Sequence, residues 1–143
     1  MPRHSRLDQF HRHLSGVPPY APGATLHEEL TRFMNFRMEF SRKERKFLRI
    51  GITRAILDPK VREQMAGVSE NGIPGLVSRL EKLRAEGKIR KDLNLEHVSL
   101  LVSGLTFSMS MFTLVIFKMR PELADEVLVL AARVLSDGLA PKD

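Results

Sequence analysis

Histidines near the start of the chain are the first candidates for metal chemistry. His4, His11 and His13 lie close together, but a carboxylate or further ligand at a suitable spacing is not evident. The 143-residue sequence also contains no cysteine, which excludes disulfides and thiolate metal sites. We therefore expect solvated histidines and no metal site.

Catalytic constellations are missing from the sequence. It contains no Ser-His-Asp set, no glycine-rich nucleotide loop and no HExxH sequence. The carboxylates cluster in the first turns of predicted helices and at solvent-facing positions, where capping explains them. We therefore expect no enzymatic activity and no cofactor, with a small all-helical enzyme as an alternative.

Two arginines that interrupt apolar stripes could bind an anion. Arg37 follows Phe33 and Met34 at helical spacing, and Arg54 is spaced among apolar positions. A buried guanidinium needs an anionic partner, which can belong to the protein or to a ligand. For Arg37 the sequence favours extension to solvent along the apolar surface, with contact to an anionic ligand group as the alternative.

Basic residues are concentrated in three stretches, 3–12, 42–49 and 82–91, within a chain of net charge +6. The run SRKERK at 41–46 could contact phosphates, but no aromatic residues are interleaved with it. We expect each stretch to be a solvated helix face.

The elements that must position these residues are helices. The sequence has no Trp, one Tyr and few alternating Val/Ile/Thr runs, which predicts an all-α fold. Residues 1–24 form a basic N-terminal segment with a Pro/Gly linker, and residues 25–143 form one helical domain of about six to seven helices. Helix boundaries are indicated by Thr25 with Glu28, by Asp58-Pro59, by Gly87, by Asn94, and by Pro121 and Gly138.

The stretch Val98–Phe117 holds twenty residues without a charge. Such a run could cross a bilayer or form a helix covered on every side. Seven of the twenty positions are Ser, Thr or Gly, and no signal segment or second span accompanies the stretch. We expect a buried helix and no membrane partner, with a single transmembrane pass as the alternative.

Three stripes run along this helix. Small and hydroxyl residues from Ser99 to Thr113 let another backbone approach closely, so we expect this stripe, with Phe107 and Met111, to meet a second subunit and the last helix. The stripe containing Leu105, Met109 and Phe112 would then face inward. The predicted dimer interface comprises Ser99, Ser103, Thr106, Phe107, Ser110, Met111, Leu114, Leu128, Ala131, Ala132 and Leu135.

Three pieces of the sequence resemble the regulatory domain of the tetracycline-repressor (TetR) family of transcription regulators. They are the segment LRAEGKIRKDL at 83–93, Ser103-Gly-Leu in the long helix, and VLSDGL at 134–139. The resemblance covers about residues 25–140. It implies that the last two long helices form the four-helix bundle of a homodimer, and that the preceding helices enclose a pocket for a small, usually apolar ligand.

The resemblance also implies a function. We expect a cytoplasmic, ligand-sensing regulatory domain of a repressor that a small hydrophobic or amphipathic ligand releases. Nothing in residues 1–23 resembles the helix-turn-helix domain with which the family begins, so we expect DNA binding only through such a domain, absent from this chain. A ligand-free homodimerisation scaffold is the alternative. The expected ligand-binding residues are Phe33, Met34, Arg37, Phe47, Ile50, Arg54, Leu80, Leu105, Met109 and Phe112.

Overall fold

The computed structural model describes residues 24–65 and 70–142, and this part of the chain is all-α. Its six α-helices are α1 (Leu26–Lys43), α2 (Arg45–Leu57), α3 (Pro59–Met65), α4 (Pro74–Ala85), α5 (Leu95–Ser110) and α6 (Pro121–Leu139). A π-helix, Met111–Ile116, continues α5 directly and is called the π segment below. The absence of strands in these described ranges confirms the predicted all-α domain. The predicted N-terminal segment 1–24 lies, apart from Ala24, outside the described residues.

Helix ends follow the capping signals of the sequence. The Glu28 N–H donates to Thr25 Oγ1 at 3.1 Å and the Thr25 N–H donates to the Glu28 carboxylate at 3.4 Å, which completes a capping box at the start of α1. Asn94 Oδ1 accepts from the N–H groups of the two residues that follow Leu95. Gly87, at φ +79°, ends the turn after α4 in the left-handed conformation. The predicted boundaries at these positions are confirmed.

Helix α1 lies at the centre of the fold. It packs against both α5 and α6, and its side chains Phe33, Met34 and Met38 are at most 2% exposed. Two ion pairs tie it to other helices: Glu29 pairs with Arg79 of α4, and Arg42 pairs with Asp125 of α6. Helix α1 thus contacts α4, α5 and α6.

The turn before α4 fits closely against α5. Gly72 has φ +80°, and a Cβ atom built on it would lie 2.0 Å from Ser99 Oγ. The next residue, Ile73, donates its N–H to the same Ser99 Oγ at 3.2 Å. Only glycine fits both the backbone conformation and the contact, so this position fixes α4 relative to α5.

The end of α5 widens into the π segment before the chain turns. The Phe117 N–H donates to the Phe112 carbonyl five residues back, at 3.1 Å. The rings of these two residues stack with centroids 5.8 Å apart. Lys118, at φ +46°, then adopts a left-handed conformation that reverses the chain direction into α6.

Candidate functional site

The hydroxyl stripe of α5 and the π segment faces the interior of the chain. The exposed fraction is 0% at Ser99, 1% at Thr106 and Ser110, and 0% at Thr113. Ser110 Oγ lies 3.5 Å from the sulfur of Met38 on α1, which shows that the stripe packs towards the central helix. These small residues permit close approach of helices within one chain.

Hydrogen bonds to the helix's own backbone make this burial possible. The hydroxyls of Thr106, Ser110 and Thr113 donate to the carbonyls of Val102, Thr106 and Met109, one turn back, at 2.6 to 2.9 Å. A buried hydroxyl without a partner would cost free energy, and a bond within the helix removes that cost without a partner subunit.

The structure thus places most of the predicted dimer-interface residues inside the single chain. Nine of the predicted residues are buried within the single chain: Ser99, Ser103, Thr106, Ser110, Met111, Leu114, Leu128, Ala131 and Ala132. Leu135 is half-buried, and Phe107, at 41%, is the exposed member of the set. The physical reason is that α1 occupies the groove in which we expected a second subunit.

The opposite side of α5 carries an exposed stripe without charge. It passes through Leu101, Leu105, Ser108, Phe112 and Ile116, at spacings of four and three residues that stay on one side of a helix. Leu101 is 55% exposed, Phe112 47% and Ile116 59%, while Leu105 is half-buried. Within the described residues, no other part of the chain covers these apolar side chains.

Helix α6 carries a matching stripe. Leu123 and Val127 are half-buried, and Leu130 and Val134 are 57% and 60% exposed, at the same helical spacing. The charged residues of α6 lie on another arc of the helix, where Val129, 54% exposed, lies among them. The apolar part of α6 thus extends well beyond the arc that its own chain covers.

The two stripes form what we call the uncharged face, defined by Leu101, Ser108, Phe112, Leu130 and Val134. Helices α5 and α6 contact each other and share α1 as a neighbour, so we infer that their outward stripes belong to one surface. By length and composition, the stretch Leu95–Ile116 could also cross a membrane, but half of its most apolar window is buried, and a core helix passes the same test. By packing against a second apolar surface, the uncharged face can remove its apolar area from water.

The predicted ligand-binding residues do not form one site. Phe33, Met34 and Leu80 are buried in the core, Arg37 is 7% exposed, and Phe47, Leu105 and Met109 are half-buried. Ile50, Arg54 and Phe112 are exposed, so the structure does not place these three in the core with the others. Helix α2 carries apolar residues around most of its circumference, and its burial depends on Leu48, which the prediction omitted.

Arg37 is the buried cation among these residues. Its guanidinium carbon lies 5.0 Å from the centre of the Phe33 ring, a cation–π contact. Burial removes water from the charged form and lowers the pKa of Arg37 to about 10, so the side chain remains protonated at neutral pH. The prediction that Arg37 extends to solvent does not hold, because its guanidinium is buried against the Phe33 ring.

A separate depression of about 440 Å³ lies where the α4–α5 connection meets the C-terminal residues. The depression is lined by Gly87, Ile89, Arg90, Lys91, Asp92, Pro141 and Lys142. Arg90 and Asp92 pair across a 2.7 Å contact, and this contact lowers the pKa of the carboxyl. None of the predicted ligand-binding residues lines this depression.

Residues 24–65 and 70–142 contain no cluster of three or more His, Asp or Glu side chains that could hold a metal ion.

The chain was compared with protein-family models, curated proteins and solved structures, and it matches none of them.

Proposed function

We propose that this chain is a dimerising, ligand-sensing regulatory domain, of the kind that the TetR-like sequence pieces suggest. The uncharged face is the observation that supports it most directly. A large apolar surface rimmed by polar residues is typical of a protein interface, and a helical pair that meets its own copy forms a four-helix bundle. In this arrangement Leu130 and Val134 of one copy would pack against α5 and α6 of the other.

The sensing part of the proposal is supported by the burial of Arg37. Its guanidinium lies over the Phe33 ring, and Met34 and Met38 are buried on the same helix, which contacts both α5 and α6. A small amphipathic ligand that repacks α1 would change how the two outer helices lie, and so the geometry of the dimer. Release of a repressor by such a ligand would follow from this coupling, with DNA contacted through a helix-turn-helix domain.

Dimerisation is tested by a single substitution with a neighbouring control. Leu130→Glu places a charge in the uncharged face, whereas Val129→Glu places the same charge on the adjacent, charged arc at nearly equal exposure. In sedimentation equilibrium at micromolar concentration, we expect wild type and Val129→Glu to have twice the mass of one chain. Leu130→Glu should raise the dissociation constant at least about 100-fold, because each dimer would bury two such charges. A monomeric wild type contradicts the proposal.

Ligand sensing is tested separately, by native mass spectrometry and thermal shift with a panel of fatty-acyl, aromatic and cationic compounds. A binder raises the melting temperature by mass action. Stabilisation that Arg37→Met selectively removes for anionic compounds supports the sensor. A dimer stabilised by no compound favours the alternative, a ligand-free homodimerisation scaffold.

A further inference from the structure

Helix α2 has an unusual charge composition for its position. Its thirteen residues include Arg45, Lys46, Arg49 and Arg54 and no acidic residue. All four cations are exposed, and none forms an ion pair with another residue of the described ranges. The exposed Lys43, Lys60 and Arg62 extend this positive surface on both sides of the helix.

Large aliphatic side chains share the exposed surface of α2. Ile56 and Leu57 are 71% and 79% exposed, the highest values among the large apolar residues of the described part of the chain, and Ile50 is 60% exposed. Side chains this exposed forgo most of the stabilisation that burial of their apolar surface would provide. Helix packing among the described residues therefore does not explain why Ile50, Ile56 and Leu57 are aliphatic.

Cations and aliphatic residues are ordered along the helix. One outward stripe runs from Lys46 through Ile50 to Leu57, and the neighbouring stripe runs from Arg45 through Arg49 to Ile56. Both stripes begin with cations and end with aliphatic side chains.

The position of these cations does not stabilise the helix. Arg45 and Lys46 lie in the first turn of α2, where the helix dipole disfavours positive charge, and Glu44 gives no side-chain cap there. Helix stability alone would select acidic residues at these positions.

We propose that this basic–apolar face, defined by Arg45, Lys46, Arg49, Ile50, Ile56 and Leu57, binds the surface of an anionic lipid bilayer. Lipid phosphates and carboxylates complement the exposed cations, while the aliphatic side chains enter the acyl boundary beneath the headgroups. Nucleic acid would satisfy the cations but offers no apolar phase to the neighbouring Ile and Leu side chains, so the observations favour lipid. The face shares no residue with the uncharged face, and the proposal does not depend on dimerisation.

Vesicle co-sedimentation of the full chain tests the proposal. We expect binding to phosphatidylcholine vesicles that contain about one third phosphatidylglycerol and little binding to pure phosphatidylcholine. Lys46→Gln with Arg49→Gln should weaken partitioning about 25-fold, since each cation near an anionic surface contributes about fivefold. Ile56→Ser with Leu57→Ser should weaken it at least about tenfold without changing the net charge.

Matched controls change equivalent residues elsewhere on the surface. Lys91→Gln with Arg133→Gln removes the same two charges outside the face, and Val129→Ser removes an exposed aliphatic side chain; both should bind vesicles as wild type does. The proposal is overturned if anionic vesicles are not bound, or if the control pair weakens binding as much as Lys46→Gln with Arg49→Gln. Binding of duplex DNA with a steep salt dependence, unaffected by Ile56→Ser with Leu57→Ser, would assign the face to nucleic acid instead.

Discussion

Replacement of Gly72 by alanine should destabilise the fold far more than a similar replacement elsewhere. The added Cβ would lie 2.0 Å from Ser99 Oγ and 3.0 Å from the Glu96 carbonyl oxygen, in a backbone at φ +80°. The left-handed conformation costs about 1–2 kcal/mol for a residue with a Cβ. Moving the Ser99 hydroxyl also removes the acceptor of the buried Ile73 N–H, which costs about 1–3 kcal/mol more. We expect a total loss of about 3–4 kcal/mol.

Urea unfolding followed by circular dichroism measures this loss, and the chain supplies two controls. Gly87→Ala has nearly the same φ, +79°, but nothing within 4 Å of its added Cβ, so it should cost only about 1–2 kcal/mol. Ser99→Ala removes the clashing oxygen, so Gly72→Ala should cost less in that background than in wild type, and the difference is the coupling energy. Equal losses for Gly72→Ala and Gly87→Ala, or a zero coupling energy, would refute the close fit between the turn and α5.

Two further predictions concern buried charges. The Glu29 side chain is 6% exposed and lies within 3.5 Å of Arg32 and Arg79. Glu29→Gln should therefore lower the free energy of unfolding in urea by about 3 kcal/mol, whereas Glu126→Gln, which breaks an exposed pair with Arg120, should change it little. Equal effects of the two substitutions would contradict this ranking. Because burial lowers the pKa of Arg37 to about 10, below its unfolded value, the charge opposes folding at neutral pH and this penalty falls as the pH rises past that pKa. Wild type should therefore gain stability relative to Arg37→Met between about pH 9 and pH 11, and a constant difference across this range would show that Arg37 does not titrate there.

Local signals in the sequence predicted the elements of the fold well. The Thr25 capping box, the Asn94 cap and the Gly87 turn depend on hydrogen bonds between residues a few positions apart, which the sequence specifies directly. The fold class follows from the same periodicity.

Which face each helix buries could not be read from the same pattern. The small hydroxyl residues Ser99 and Thr106 suit a close helix contact within one chain as well as between two chains. In either case each hydroxyl donates a hydrogen bond to a backbone carbonyl of its own helix. Helix α2 presents apolar residues on nearly every side, so its periodicity does not distinguish Leu48, which is buried, from Ile56, which is exposed. These choices depend on where α1 lies in three dimensions.

The central position of α1 has a consequence for synthesis of the chain. Its partners α5 and α6 are made last, so Phe33 and Met38 must wait for helices that end about a hundred residues further along. At common rates of translation this interval lasts about 5–20 s. During that time the apolar side of α1 is open to chaperones, and a message truncated before Pro121 would yield a chain that cannot close its core. The apolar side of α1 therefore stays accessible to ribosome-associated quality control until α6 has been made.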